Sequence, residues 1–330
     1  MSDEYDVVPG PILVDEDDAR RHQRSNSPFN RFRRAVMGLL LRASLIPAVW
    51  VCGALPPAGI VRLGRSVGML MWRGGRNPRR ARAHLAMAFP ELSEPERESI
   101  VRRCAQSQAI ALLEGLQILA RGAGRILERV EVEGWETIAE LRREGRPFVI
   151  MSAHFGNWEL IPAILLERGI QLYGFAREVR TPFMQKPVER FRERVGLKVI
   201  LRGTSNAAYR FREAIRGKHP IAMLIDQDTR VESDWVPFFR RMAYTPLGAA
   251  RIALKYHRVV VPMFVERRED GRYLARIDRP LDIPRDPVEA TAIMTRAVEA
   301  AVRRCPEQWV WHHKRWRTRP PDERAVPART

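Results

Sequence analysis

Lysine is nearly missing from this chain. Of 57 basic residues only Lys186, Lys198, Lys218, Lys255 and Lys314 are lysines, and the rest are arginines. Cysteine is as scarce. Cys52, Cys104 and Cys305 stand alone, with no C-x-x-C pair, so a disulfide framework is excluded and a reduced cytoplasmic setting fits. No stretch carries the ligand spacing of a zinc site, so neither a metal nor a cofactor is expected. An RNP-like motif and an uninterrupted basic arm are missing too, which speaks against a nucleic-acid partner. A cleavable signal peptide is not expected, because the polar leader is too long and no A-x-A site follows a short apolar core.

What the chain has is positive charge, +18 over 330 residues, on an ordinary hydrophobic content of 45%. The length allows one large domain or two small ones. An arginine excess of this size is either composition bias on a solvated surface or a match to anionic partners. Those partners would be a membrane surface, a phosphorylated substrate or an acidic protein.

Four regions follow from the texture. Residues 1–28 read as a disordered tail, with acidic clusters at Asp3, Glu4, Asp6 and 15–18 meeting a basic run at 20–24. Residues 29–75 read as a membrane-associated helical segment. From 43 to 61 no charge occurs, a length close to the roughly 20 residues that span hydrocarbon. Pro47, Pro56 and Pro57 argue against one continuous helix, and a helix packed on the soluble domain is the alternative. Residues 76–320 read as a single α/β domain, and 321–330 as a second disordered tail.

Within the domain, Ser93 and Glu96 form a capping box that opens a long helix. From 146 on, apolar β-branched runs alternate with helical stretches: 148–153, 172–176, 198–201, 221–225 and 259–265. This pattern predicts a mixed, largely parallel sheet flanked by helices on both faces. The run at 273–278 is expected as an antiparallel strand and 286–304 as a helix.

The sharpest motif is SAHFGNWEL, 152–160, which places His154 at the carboxyl end of a buried strand, where α/β sheets carry their sites. Gly156 permits a turn and Asn157 suits a helix N-cap. The turn lets Glu159 come back to His154. A carboxylate on one imidazole nitrogen fixes the tautomer and makes the other nitrogen a general base. The helix N-terminus is expected to add amide donors for an oxyanion. A structural histidine at a strand end is the plain alternative.

SAHFGNWEL resembles the H-x4-D/E block of the lysophospholipid acyltransferase superfamily, and more closely the late lipid A acyltransferases, the lauroyl and myristoyl transferases. Further blocks agree in order: AMAFPELSEPER (87–98), FAREVRTP (175–182), RFRERVGLKVI (190–200), AMLIDQD (222–228), WVPFFRRMAYTPLGAARIAL (235–254) and CPEQWVWHHKRW (305–316). The likeness spans roughly 35–316. Arg240 stands where the family usually has glycine, and His84 where asparagine is usual.

The resemblance implies a glycerolphosphate-acyltransferase-like fold at the inner membrane, with its catalytic domain facing the cytoplasm. It implies that His154, with Glu159, deprotonates a hydroxyl of a phosphorylated glycolipid acceptor. That hydroxyl attacks an acyl thioester, on acyl carrier protein (acyl-ACP) or on acyl-CoA. Arg177 and Arg194 would hold acceptor phosphates. Asp226 and Gln227 would orient the site or a basic side chain, and Phe238 and Phe239 would wall the acyl groove. Trp309, Trp311 and Trp316, interleaved with basic residues, suit a membrane interface or inward packing. Two other functions fit the residues: transfer to another lysolipid or glycolipid from acyl-CoA, and a non-catalytic basic protein on a membrane surface.

Overall fold

Five apolar runs between residues 148 and 267 become the parallel core of one sheet in the computed structural model, which describes residues 43–73, 76–177 and 182–320. The strands are β1 (Val130–Glu133), β2 (Phe148–Ser152), β3 (Leu172–Ala176), β4 (Leu197–Leu201), β5 (Ile221–Leu224), β8 (Val259–Arg267) and β9 (Tyr273–Ile277), in the order β1-β9-β8-β2-β5-β3-β4. Strands β8, β2, β5, β3 and β4 run parallel; β9 turns back antiparallel to β8 and carries β1 beside it. The α/β class and mostly parallel sheet expected from the alternating pattern are what the chain forms. Both flanking tails, 1–28 and 321–330, and residues 29–42 lie outside the described residues.

Strand β2 is buried along its whole length, as a central strand covered on both faces must be. Its register with β5 pairs Ser152 with Leu224. Continuing that register two residues further brings His154 opposite Asp226.

A hairpin, β6 (Ser233–Phe238) and β7 (Arg241–Pro246), stands apart from the main sheet. Its two turn residues, Phe239 and Arg240, both have positive φ, +49° and +60°. Tight two-residue hairpins demand that conformation, and glycine adopts it at least cost. This is the physical sense of Arg240 standing at a usual glycine position. The neighbours hold the strained turn: the Phe239 amide donates to Glu299 Oε2 at 2.7 Å, and the Arg303 guanidinium lies 4.8 Å from the Phe239 ring centroid.

Before the sheet comes an all-helical layer. Residues 43–54 are helical, followed by Pro57–Trp72, Arg76–Ala88 and the long helix Glu94–Arg121. The capping box of Ser93 and Glu96 forms as expected. Helix Pro57–Trp72 lies so close on Glu94–Arg121 that a Cβ at Gly64 would come within 2.4 Å of Ile110, and one at Gly68 within 2.4 Å of the Gln106 Cα. Among the described residues no helix is long and apolar enough to cross a membrane. The outer face of this layer is nevertheless apolar: Ile46, Trp50, Val51, Leu70 and Met71 are exposed, with Leu112 of the long helix.

Candidate active site

The register of β2 and β5 delivers two side chains to one spot. Asp226 is buried, and one of its oxygens accepts from His154 Nδ1–H at 2.8 Å. Its second oxygen accepts the His154 backbone N–H at 3.0 Å and the Trp309 indole N–H at 2.8 Å. Burial pushes the Asp226 carboxyl up, but the charges and hydrogen bonds of His154, then His313 and Trp309, outweigh it and hold the group well below the usual carboxylate range. An ionised carboxylate only accepts, so the ring nitrogen facing it carries hydrogen. The free lone pair of His154 is therefore on Nε2, on a side chain that keeps some exposure to solvent.

The carboxylate bonded to the imidazole is thus Asp226, not the Glu159 expected from the motif. Glu159 lies in a short 3-10 turn, Trp158–Leu160, just past the strand. Burial raises its pKa above the ordinary value, opposed by the charges of His154 and Arg192 and by the Trp158 indole. Glu159 shares the field of the site without holding the ring.

Gln227 follows Asp226 and reaches two imidazoles at once. Its Nε2 lies 3.2 and 3.0 Å from the two nitrogens of His154, and 3.0 and 3.3 Å from those of His313. A donor almost equidistant from both nitrogens of a ring cannot lie in its plane, where the intervening carbon would collide with it. The amide therefore sits over the ring faces, an N–H···π arrangement, and leaves the in-plane lone pair of His154 open. The two imidazoles stand edge to face with centroids 5.0 Å apart. Burial, then the charge of His154, lowers the His313 pKa to about 4, so this second ring is neutral at neutral pH.

The loop HFGN is clamped by the backbone. Gly156 takes φ +57°, and a Cβ there would fall 1.8 Å from the Val265 carbonyl oxygen. Its N–H donates to the Gln308 carbonyl at 2.9 Å, and the Asn157 N–H to the Val265 carbonyl at 3.0 Å. The Asn157 side chain does not cap a helix as expected. Its amide turns inward and donates to Glu114 at 3.0 Å. Glu114 is a fully buried carboxylate that receives both terminal nitrogens of Arg267 at 2.8 Å and the Tyr273 hydroxyl. Removing one member of so buried a pair costs about 3–5 kcal/mol, so this network is a rigid mount for the loop that carries His154.

The C-terminal segment decides between the two readings of its tryptophans. Trp309 and Trp311 are fully buried, so they are not a membrane-facing band. Trp309 spends its indole on Asp226, and Trp311 donates to the Pro306 carbonyl at 2.6 Å. Phe238 and Phe239 are fully buried as well, and a groove wall would need exposed ring surface that neither has. They pack beneath the site, Phe238 against Trp309 at 5.5 Å and Phe239 against Trp311 at 5.7 Å between centroids. Arg315, also buried, lies 5.1 Å from the Phe238 centroid and donates to Thr245 Oγ1 at 2.6 Å.

Arg177 is exposed just past β3, on the carboxyl edge of the sheet, and Arg194 is exposed at the end of helix Pro182–Arg194. The half-buried Arg192 of that helix is the one whose charge reaches Glu159. Residues two apart on a helix do not share a face, which separates Arg192 from Arg194. Half-buried Arg202, after β4, feels the charge of Arg177. His313, Trp309 and Arg192 were not singled out from the sequence as site residues. The register-independent sign was present only for His313, in the unusual pair His312-His313.

Chemically, the arrangement is an ionised buried carboxylate, an imidazole oriented by it, and an open Nε2 lone pair beside a second neutral imidazole. That is the equipment of a general base.

Compared with known proteins, the chain matches the family described as bacterial lipid A biosynthesis acyltransferase over residues 38–318. It is 30% identical over 272 residues to the lipid A biosynthesis myristoyltransferase of Escherichia coli (strain K12), covering 80% of this chain and 81% of that protein. To the lipid A biosynthesis lauroyltransferase of the same strain it is 28% identical over 292 residues, 86% of this chain and 92% of the other. A lipid A biosynthesis acyltransferase of Haemophilus influenzae is 27% identical over 242 residues, 73% and 76% of the two chains.

Proposed function

Because the chain belongs to the bacterial lipid A biosynthesis acyltransferase family and is an O-acyltransferase, we propose that it moves a fatty acyl chain from an acyl thioester to a hydroxyl of a phosphorylated lipid A precursor. His154 is the base. Its Nε2 takes the hydroxyl proton, the oxygen attacks the thioester carbonyl, and Asp226 stabilises the imidazolium while it lasts. When the tetrahedral intermediate collapses, the C–S bond breaks and the imidazolium returns its proton to the departing thiolate. Glu159, half-buried just past the strand, adds its field to the site beside the charges of His154 and Arg192. The observation that carries this reading is the double contact of Asp226 with His154, at 2.8 and 3.0 Å.

Acyl carrier protein is the proposed donor, since a highly acidic carrier meets a chain of net charge +18. Arg177, exposed on the carboxyl edge, would receive an acceptor phosphate as a guanidinium fork; Arg194, three residues before β4 starts, would have to reach a phosphate from the other end of its helix. Residues 29–75 form the membrane-associated segment of a protein at the cytoplasmic face of the inner membrane. Its described helices present Trp50 and Leu70 outward, 76% and 73% exposed. Lacking a span, they lie in the interface as a monotopic anchor beside exposed Arg62, Arg65 and Arg73. Residues 76–320 form the catalytic domain.

The test is acyl transfer by the purified protein in detergent, with acyl-ACP and acyl-CoA offered separately and the lipid product read by mass spectrometry. A new ester on the phosphorylated precursor is expected from acyl-ACP, and none with His154→Ala. Transfer to other lysolipids alone would overturn the assigned acceptor.

A further inference from the structure

The attack just described creates an oxyanion, and the amides of His154, Phe155, Gly156 and Asn157 cannot receive it. All four amides of the loop are spent: His154 N–H on Asp226, Phe155 N–H on the Ala153 carbonyl at 2.8 Å, Gly156 N–H on Gln308 and Asn157 N–H on Val265. A donor to the oxyanion is therefore needed beyond residues 154–157. The segment that follows is a three-residue 3-10 turn and a helix of seven residues.

We propose that His313 is a further catalytic residue, the hydrogen-bond donor to the oxyanion that forms on the thioester carbonyl. The inference rests on the acyl-transfer reading above. Three observations point to it. First, the His313 ring stands 5.0 Å from the His154 ring, centroid to centroid, with the Gln227 amide between them. A carbonyl attacked by an oxygen bonded to His154 Nε2 falls within reach of the second ring. Second, His313 is built in rather than draped over the surface. Its N–H donates to the Val310 carbonyl at 3.1 Å, the Val310 N–H donates to the His154 carbonyl at 3.3 Å, and Phe155 bridges to Trp309. The Arg80 guanidinium holds the next carbonyl back, that of His312, at 2.9 Å. Third, the groups around it keep it uncharged: burial first, then the charge of His154, with His312 and Arg80 acting the same way and only Asp226 opposing them. A neutral imidazole carries one N–H whichever tautomer it adopts. Held neutral, it cannot compete with His154 for the hydroxyl proton at neutral pH, and it adds no second cation when His154 becomes one.

Electrons and protons balance with this role. The hydroxyl proton goes to His154 and the new C–O bond forms. The carbonyl π pair moves to oxygen, where the His313 N–H meets it. The pair returns as the C–S bond breaks, and the thiolate takes the proton from His154. His313 neither gains nor loses a proton. Preorganised donors of this kind are worth about 10²–10³ in turnover.

The experiment compares His313→Gln with His313→Met in the acyl-ACP assay, beside wild type and His154→Ala. The two replacements fill similar volume, and only glutamine keeps an N–H. With thermal midpoints near wild type, His313→Met should lose about 100–1,000-fold in kcat with KM for both substrates within about threefold. His313→Gln should recover at least about tenfold of that loss. The deficit should be the same at every pH above about 5, since a donor that stays neutral imposes no titration of its own. The inference falls if His313→Met turns over within about threefold of wild type, or if the glutamine variant is no better than the methionine one. It falls equally if both variants fail to fold, or if the deficit lies in KM, because the residue is then structural or binding. An inactive wild type would instead sink the acyl-transfer reading itself, and this inference with it.

Discussion

Asp226 grips His154 twice, by the ring at 2.8 Å and by the backbone N–H at 3.0 Å, so one carboxylate fixes both the tautomer of the imidazole and the position of its Cα. The oxygen on the backbone N–H also receives the Trp309 indole, at 2.8 Å. That sharing makes a sharp prediction. In Asp226→Asn the two donors on one side demand the carbonyl oxygen, so the amide nitrogen must face His154 Nδ1. The ring then has to accept there and carry its hydrogen on Nε2, which is the wrong tautomer for a base. Turnover should drop on the order of 10⁴-fold with the fold intact. Circular dichroism and steady-state acyl transfer on the same preparation check it.

Gly156→Ala should be destabilising by more than about 3 kcal/mol, because strain at positive φ adds to a collision with the Val265 carbonyl. Chemical denaturation of the detergent-solubilised protein measures it. A stability change under about 1 kcal/mol would mean that the loop can move away from β8 at little cost.

Acid should loosen the fold earlier than carboxylate protonation alone. Folded His313 stays neutral down to about pH 4, while the unfolded chain takes up that proton near the ordinary histidine value of 6.5. The unfolded state binds more protons in this window, so stability is complete above it and falls as pH drops through it, by about 3 kcal/mol from this residue. His84 and His312 are also held low, by burial first, and act with the same sign. Thermal midpoints should decline from pH 6.5 to 4, and His313→Gln should flatten part of that slope. An unchanged slope in the variant would show that the titration belongs to other groups.

Trp50→Glu and Leu70→Glu should weaken attachment to vesicles containing anionic phospholipid without moving the thermal midpoint, as both side chains are largely exposed. The residual binding of the double variant should be abolished by high salt, which screens the arginines but not apolar insertion. Wild-type flotation by the double variant in high salt would place the contact on another surface.

Most of the sheet was legible because its strands are uninterrupted apolar runs between turn residues, and β2, β3, β4, β5 and β8 stand where those runs are. β1, with every second residue a glutamate, and the hairpin β6–β7, with Pro237 in it, give no such run and were not anticipated. The same limit explains the site. His154 could be found from a strand end and a local motif. Its partner is 72 residues away, and the motif offered a nearer carboxylate, Glu159. Knowing that Asp226 is the one that holds the ring requires knowing that β2 and β5 are neighbours, which no local pattern states. The tryptophans stayed undecided for a related reason: basic neighbours suit a lipid interface as well as inward packing, and only the fold shows Trp309 and Trp311 as the buried face of a segment in which Arg315 finds carbonyl and hydroxyl partners inside.

Helix Glu94–Arg121 touches both ends of the problem. At Gln106 and Ile110 it presses on Gly68 and Gly64 of helix Pro57–Trp72, and at Glu114 it grips Asn157, three residues from His154. Eight residues of helix separate Gln106 from Glu114, roughly 12 Å of axial rise. The helix acts as a tie bar: the layer seated on it by its glycines and the loop it holds through Asn157 share one rigid element, so neither can slide along it without carrying the other.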